Sequence, residues 1–273
     1  MATTRFAPSP TGLLHLGHAR AALFAWRHGT RCLLRLEDID PARCQPEYAA
    51  GIMEDLAWLS LVPHGQVRVQ SQHLKEYRAV LDGLVELGLV YPCFCTRADI
   101  VASANAPYGP DGTPLYPGAC RTMDLGLRVD RLARGDRHAL RLDVAAAMVL
   151  AGPLTYSEAG QRVPCRPEAF GDAVLARKDA PASYHLCATH DDAVQGVTLV
   201  TRGEDLRAAA HLHRLLQAVM GWPEPEYLHH PLLLDANGRR LSKRDGAATL
   251  RGMRQAGMTP EEVRRRAGWL PLS

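Results

Sequence analysis

Arg5-Phe6-Ala7-Pro8-Ser9-Pro10-Thr11-Gly12 leads into His15-Leu16-Gly17-His18, and Arg240-Leu241-Ser242-Lys243-Arg244 answers it far downstream. The upstream stretch is stiffened by two prolines, turns at Thr11-Gly12 and opens an alanine-rich segment that reads as a helix from about Leu16. Both histidines then stand at a helix start, where backbone N–H groups lacking an intrahelical partner and the positive end of the helix dipole favour a triphosphate. Gly17 has no Cβ, which lets a flat ligand such as adenine approach the backbone. Downstream, Lys243 is flanked by two arginines, and a cation there suits the charge that develops as pyrophosphate leaves. Taken singly, His15 or His18 also reads as a helix cap or a surface residue. The two motifs in this order read as the halves of one ATP-activating site.

Outward from this core the pattern alternates. Arg31-Cys32-Leu33-Leu34-Arg35-Leu36-Glu37-Asp38 predicts a strand ending in acids, and a helix follows from about Pro46 to Ser60. Val69–Ser71 predicts a short strand, and Leu74–Leu87 an amphipathic helix closed by Gly88. Such alternation implies an α/β fold with a Rossmann-like parallel sheet. Between Tyr91 and about Pro164 the chain turns to cysteines, glycines, prolines and short strand-like runs such as Ala139–Val144, which reads as an insertion. The second half resumes near Pro167, with Tyr184–Cys187 and Gly196–Thr201 as strand candidates and a helix from Arg207 to Met220 closed by Gly221. Leu232–Leu241 reads as a hairpin turning at Asn237-Gly238 and delivering Lys243. A last helical pair spans Ala248–Leu270, its second member opened by Thr259-Pro260-Glu261-Glu262. The expected division is residues 1–90 and 166–248 for the two halves of the nucleotide-binding fold, 91–165 for the insertion and 249–273 for a C-terminal helical segment.

The chain's 273 residues suffice for one large domain or two small ones with a substantial core. No signal-peptide run opens it and no stretch of about 18 apolar residues interrupts it, so a soluble cytoplasmic protein without a membrane partner is expected. Seven cysteines, an odd number scattered along the chain, fit reduced thiols or a metal site better than a disulfide framework. Cys93-Phe94-Cys95 with the distant Cys120 allows either a tetrahedral zinc site, with Zn–S near 2.3 Å, or ordinary buried thiols. Net charge is only +3, yet residues 239–266 hold nine basic residues against Asp245, Glu261 and Glu262. That segment reads either as a track for a phosphate backbone or as a solvated helix face.

With these motifs in place the chain resembles the class I aminoacyl-tRNA synthetases, and specifically their glutamyl branch, in which an Arg-x-Ala-Pro-Ser-Pro-Thr-Gly segment precedes the histidine motif. The resemblance runs from Arg5 through Arg244. It implies a glutamate pocket lined by Arg5, Ala7, Ser9, Glu37, Tyr184 and Arg202, in which Arg5, Tyr184 and Arg202 hold the side-chain carboxylate and Glu37 the ammonium group. Guanidinium groups suit that task because each can donate two hydrogen bonds to one carboxylate. The same resemblance implies ATP binding by Ser9, His15, Gly17, His18 and Lys243, with His15, His18 and Lys243 as the catalytic set and Mg2+ accompanying ATP. It names Tyr116 as the fourth ligand of a structural Zn2+ beside Cys93, Cys95 and Cys120.

Two positions depart from the pattern: Ala188 stands where full-length glutamyl enzymes commonly carry asparagine, and Arg240 where the loop usually begins with lysine. Only 29 residues follow Arg244, too few for the helical anticodon-reading region of an ordinary glutamyl enzyme. The resemblance thus narrows to the short paralogues without an anticodon-binding domain. These activate L-glutamate and transfer it to queuosine in the anticodon loop of tRNA(Asp). A monomer is expected. The competing expectations are a truncated enzyme charging a tRNA 3′ end and an inactive regulator that binds tRNA or amino acid.

Overall fold

The computed structural model describes residues 1–102, 108–110, 112–234 and 248–269. Among them the order is β1 (Thr3–Phe6), α1 (Leu16–His28), β2 (Arg31–Leu36), α2 (Pro46–Trp58), β3 (Arg68–Val69), α3 (Leu74–Glu86), β4 (Val90–Cys93) and α4 (Arg97–Ala102). There follow α5 (Leu125–Ala133), β5 (Ala139–Leu142), α6 (Val144–Ala151), β6 (Thr155–Glu158), β7 (Gln161–Pro164), β8 (Val174–Ala176) and α7 (Tyr184–Val194). The chain ends with β9 (Leu199–Gly203), α8 (Ala209–Met220), β10 (Glu226–His230), α9 (Leu250–Gln255) and α10 (Pro260–Arg266). It divides into two compact units. One comprises residues 1–72, 196–207 and 225–273, the other residues 73–195 and 208–224.

The first unit carries the parallel sheets. β1 pairs with β2 in parallel register, Arg5 opposite Leu33, and β2 pairs with β3 in the same sense. β9 and β10 are also parallel, with Arg202 opposite His229. β9 adjoins β1 through Thr198, whose backbone N–H donates to Thr3 O at 3.0 Å. α1 presents Ala19, Ala22 and Leu23 to the core at helical spacing, and small alanines let it lie close to β1. Thr4 Oγ1 donates to Ala25 O at 2.9 Å and ties that helix to the strand. Gly29 ends the helix where a Cβ would collide with the Thr4 side chain and meet the Arg31 carbonyl oxygen at 2.8 Å. Phe6, Leu14, Leu34, Ile52, Leu56, Leu250, Met253 and Val263 close one core, so α9 and α10 are integral to this unit. Thr259 caps α10, with Pro260 at the first turn and Glu262 completing a reciprocal capping box, as its sequence predicts.

In the second unit β4, β5 and β8 form an antiparallel sheet and β6–β7 a hairpin. α7 corrects one expectation: Tyr184–Cys187 is the first turn of a helix, not a strand. Ser183 is its N-cap, accepting from Leu186 N at 3.5 Å, and Leu186 through Asp192 are all buried. Over four residues such a run cannot be told from a buried strand by periodicity alone. Gly196, expected to open the next strand, has φ +64° and lies just after α7, so β9 starts only at Leu199. The hairpin expected at Asn237-Gly238 lies outside the described residues. Among those described, no helix is long and apolar enough to cross a membrane.

Candidate active site and metal centre

The histidine motif is locked at the start of α1 by its own side chains. His15 is the N-cap and His18 the third helical residue of a capping box built from two imidazoles. Gly17 N donates to His15 Nδ1 at 3.1 Å, and His15 N donates to His18 Nδ1 at 3.2 Å. With each Nδ1 accepting, a neutral ring carries its proton on Nε2, so both rings offer an N–H donor. Their centroids lie 4.0 Å apart. Gly17 makes room for the imidazole: a Cβ there would meet His15 Cε1 at 2.9 Å, so the ring could not fold back over its own helix start. A helix N-terminus flanked by two imidazole N–H groups has the chemistry to receive an anion.

Lys243 and its flanking Arg240 and Arg244 lie outside the described residues. The chain that leaves their segment returns to the histidine motif: Thr249 forms an antiparallel bridge with His15, and Leu250 N donates to Leu14 O at 2.8 Å. Contacts to α2 reinforce this return. Arg254 Nη2 reaches Glu54 Oε2 at 3.0 Å, and Gly51 leaves the room that Arg251 crosses, since a Cβ would meet its Nη2 at 2.9 Å.

Arg5 and Arg202 come together through their strands. Arg5 is only 5% exposed and donates through Nη1 to Thr201 O, the carbonyl just before Arg202, at 2.8 Å. Arg202, equally buried, donates through Nε to His229 Nε2 at 3.2 Å, and its guanidinium carbon lies 5.1 Å from the Tyr227 ring centroid. The sequence reading missed His229 and Tyr227, because only the parallel register of β9 with β10 brings them to Arg202. Glu37 follows β2, its N–H donating to Pro8 O at 3.1 Å, which fixes it beside the segment carrying Ala7 and exposed Ser9. Asp38 accepts from Ser71 N at 2.8 Å and Ser71 Oγ at 2.6 Å, stitching that loop to the end of β3. Tyr184 and Ala188 belong to the second unit, one turn apart on α7.

The basic C-terminal segment is largely engaged in packing where it is described. Arg251 and Arg254 meet Glu54, and Arg264 Nη2 donates to Leu59 O at 2.6 Å. Arg265 and Arg266 are exposed.

Within the second unit, Cys93, Cys95 and Cys120 converge with all three Sγ atoms inside 4.8 Å of one another. Cys95 Sγ lies 3.6 Å from Cys120 Sγ and 3.7 Å from Tyr116 Oη. Cys120 N donates to Tyr116 Oη at 2.6 Å, aiming a backbone dipole at the phenol oxygen. Burial pushes the Cys95 thiol up to about 11 and raises the Tyr116 phenol. Burial also pulls Cys120 upward, but hydrogen bonds from the Tyr116 hydroxyl and the Phe94 and Cys95 amides outweigh it, leaving that thiol below its ordinary value. Three sulfurs and one oxygen at this spacing fit a closed, four-coordinate zinc site. The three cysteines and the tyrosine that the resemblance adds to them are therefore neighbours.

Parallel strands that carry Arg5 and Arg202, with the histidine motif at the start of α1, fit the catalytic fold of the class I synthetases. The family described as tRNA synthetases class I (E and Q), catalytic domain, matches residues 1–271, and the chain belongs to it as an ATP-dependent ligase. It is 46% identical to a glutamyl-Q tRNA(Asp) synthetase of Rhodobacter capsulatus, over 97% of this chain and 99% of that protein, and belongs to that family of short synthetases. A glutamyl-Q tRNA(Asp) synthetase of Symbiobacterium thermophilum is 43% identical over 95% of this chain and 83% of its own length. A glutamate–tRNA ligase of a Synechococcus strain is 35% identical over 95% of this chain but only 55% of its own. Among solved structures, a glutamate tRNA ligase from Elizabethkingia meningosepticum in complex with its amino acid superposes with TM-score 0.73 at 29% identity. This chain is covered to 90% in that match and spans about half, 52%, of the larger protein.

Proposed function

We propose that this protein activates L-glutamate with ATP in the absence of tRNA and then transfers it to queuosine in the anticodon loop of tRNA(Asp). The observation that carries the reading is the contrast in coverage: the chain matches 99% of a glutamyl-Q tRNA(Asp) synthetase but 55% of a glutamate–tRNA ligase. In the first step a glutamate α-carboxylate oxygen attacks the α-phosphorus, the bond to the bridging oxygen breaks, and pyrophosphate leaves glutamyl-adenylate behind. Positioning and charge stabilisation carry such chemistry, and no protein nucleophile is required. His15 and His18 donate to phosphate oxygens at the α1 start, Lys243 stabilises the departing charge, and Ser9 and Gly17 line the nucleotide, with Mg2+ accompanying ATP. Arg5, Arg202 and Tyr184 hold the glutamate side chain, Ala7 and Ser9 line it, and Glu37 holds its ammonium group. In the second step a hydroxyl of the queuosine cyclopentenediol attacks the activated carbonyl and AMP leaves.

Residues 1–90 and 166–248 serve as the halves of the nucleotide-binding fold in this reading, with 91–165 inserted and 249–273 closing the chain. Cys93, Cys95, Tyr116 and Cys120 would hold Zn2+, which supplies a cross-link to a segment with few buried apolar side chains. The protein works as a monomer in the cytoplasm. The test is ATP–pyrophosphate exchange with glutamate, with and without tRNA, followed by charging of tRNA(Asp) with queuosine or with unmodified guanine. Exchange without tRNA and labelling of only the modified tRNA are expected. Equal charging of both tRNAs, with glutamate recovered on the terminal adenosine, would overturn the acceptor assignment in favour of a truncated ordinary ligase. Absence of any exchange would mark an inactive binding protein.

A further inference from the structure

Three rings meet where α7 begins. Tyr184 and His185 open that helix, and His213 reaches them from the middle of α8. The centroid separations are nearly equal: Tyr184–His185 5.5 Å, Tyr184–His213 5.7 Å and His185–His213 5.4 Å, with interplanar angles of 62°, 52° and 72°. His185 Nδ1 and His213 Nε2 share a hydrogen bond of 3.2 Å. His213 is 2% exposed, whereas Tyr184 and His185 are half-buried. Phe170 stands edge-on to His185 from the far side at 5.9 Å.

Neighbouring residues on a helix point about 100° apart, so Tyr184 and His185 do not face each other unaided. The buried His213 ring fills the wedge between them. Because two imidazoles joined by one hydrogen bond need one donor and one acceptor, the pair is a directional strut rather than a flexible contact. It braces Tyr184 on two sides while leaving that ring open enough to meet a ligand. We infer that the His185–His213 pair is a positioning device for Tyr184 and thereby sets the affinity and selectivity for the glutamate side chain. The inference rests on the assignment of Tyr184 to the glutamate pocket. Neither histidine is a catalytic residue in it. A phenol whose ring is braced on two sides can favour one chain length of acidic side chain over another, since misplacement of a contact by about 1 Å is enough to lose a large part of its effect.

The test is the glutamate KM in ATP–pyrophosphate exchange, measured with the ATP KM and kcat for a set of full-length variants. An amide can imitate each imidazole nitrogen in place: glutamine matches Nε2 at position 213 and asparagine matches Nδ1 at position 185. His213→Leu and His185→Leu are each expected to raise the glutamate KM on the order of tenfold, with ATP KM and kcat within about twofold. His213→Gln and His185→Asn should recover most of the loss, and Tyr184→Phe should add little on top of His213→Leu. Preference for glutamate over aspartate should narrow in the leucine variants alone. Should His213→Leu not fold, the half-buried His185 carries the same comparison. If Tyr184→Phe raises the glutamate KM while the leucine variants stay at the wild-type value, the brace is refuted and the pocket assignment stands. Amide variants as impaired as the leucine ones would also refute it. A wild-type KM in Tyr184→Phe itself would remove both the pocket assignment and the inference built on it.

Discussion

Asp55 is a buried carboxylate without a hydrogen-bond partner, and replacing it with asparagine should stabilise the protein at neutral pH. It lies on the buried face of α2 with no exposed surface, neither oxygen has a hydrogen-bond partner, and the nearest cation, Arg254 Nη1, is 3.8 Å away. Burial raises its pKa from 3.8 to about 6, against the opposing pull of Arg254 and Arg251. The sign follows from proton binding. The folded state holds the proton more tightly than the unfolded one, so stability falls as pH rises from about 4 and the full penalty is present above about 6. The interval between those values corresponds to ~3 kcal/mol. Asp55→Asn is neutral at every pH and isosteric, so it should gain ~3 kcal/mol at pH 7.5, about 1 kcal/mol at pH 4.5 and almost nothing near pH 3.5. Thermal unfolding reads this as a rise in Tm on the order of 5–10 °C at pH 7.5 that shrinks with acidification. A variant less stable than wild type at pH 7.5 would refute the reasoning, because it would make Asp55–Arg254 a productive ion pair that outweighs burial.

Three further outcomes follow from the candidate sites. Lys243→Ala should slow ATP–pyrophosphate exchange about a hundredfold, ~3 kcal/mol of transition-state stabilisation, and undiminished exchange would remove Lys243 from the mechanism. Arg202→Ala should weaken glutamate use by ~2–5 kcal/mol, read as a steep rise in KM, because it leaves a substrate carboxylate facing a buried surface without its partner. One zinc per chain is expected by elemental analysis of protein purified without chelator. Cys120→Ser should lower that content and the unfolding temperature while exchange activity falls much less, and a metal-free wild type would leave these cysteines as ordinary thiols.

Much of this protein is legible in its sequence because the deciding features are local. His15 through His18 fold into their own cap, and Thr259 through Glu262 do likewise, since each uses contacts no more than three residues apart. The strand ending at Leu36 and the helix from Pro46 are signalled by pattern and by proline within a single window. The cysteine cluster was legible only as a spacing. What the tertiary structure decided is which distant groups share a neighbourhood. Cys120 joins Cys93 and Cys95 through a fold of the chain with no helical or strand period, and His229 meets Arg202 only because β9 and β10 are in parallel register. Tyr184 reads as a strand residue because the run Tyr184–Cys187 is too short to show a helical period. His213 gave no signal at all: a histidine in an amphipathic helix acquires meaning only when α8 packs against α7 and its imidazole finds His185. Local sequence dictates backbone hydrogen bonding over a few residues, whereas long-range side-chain partners depend on packing that no short window contains.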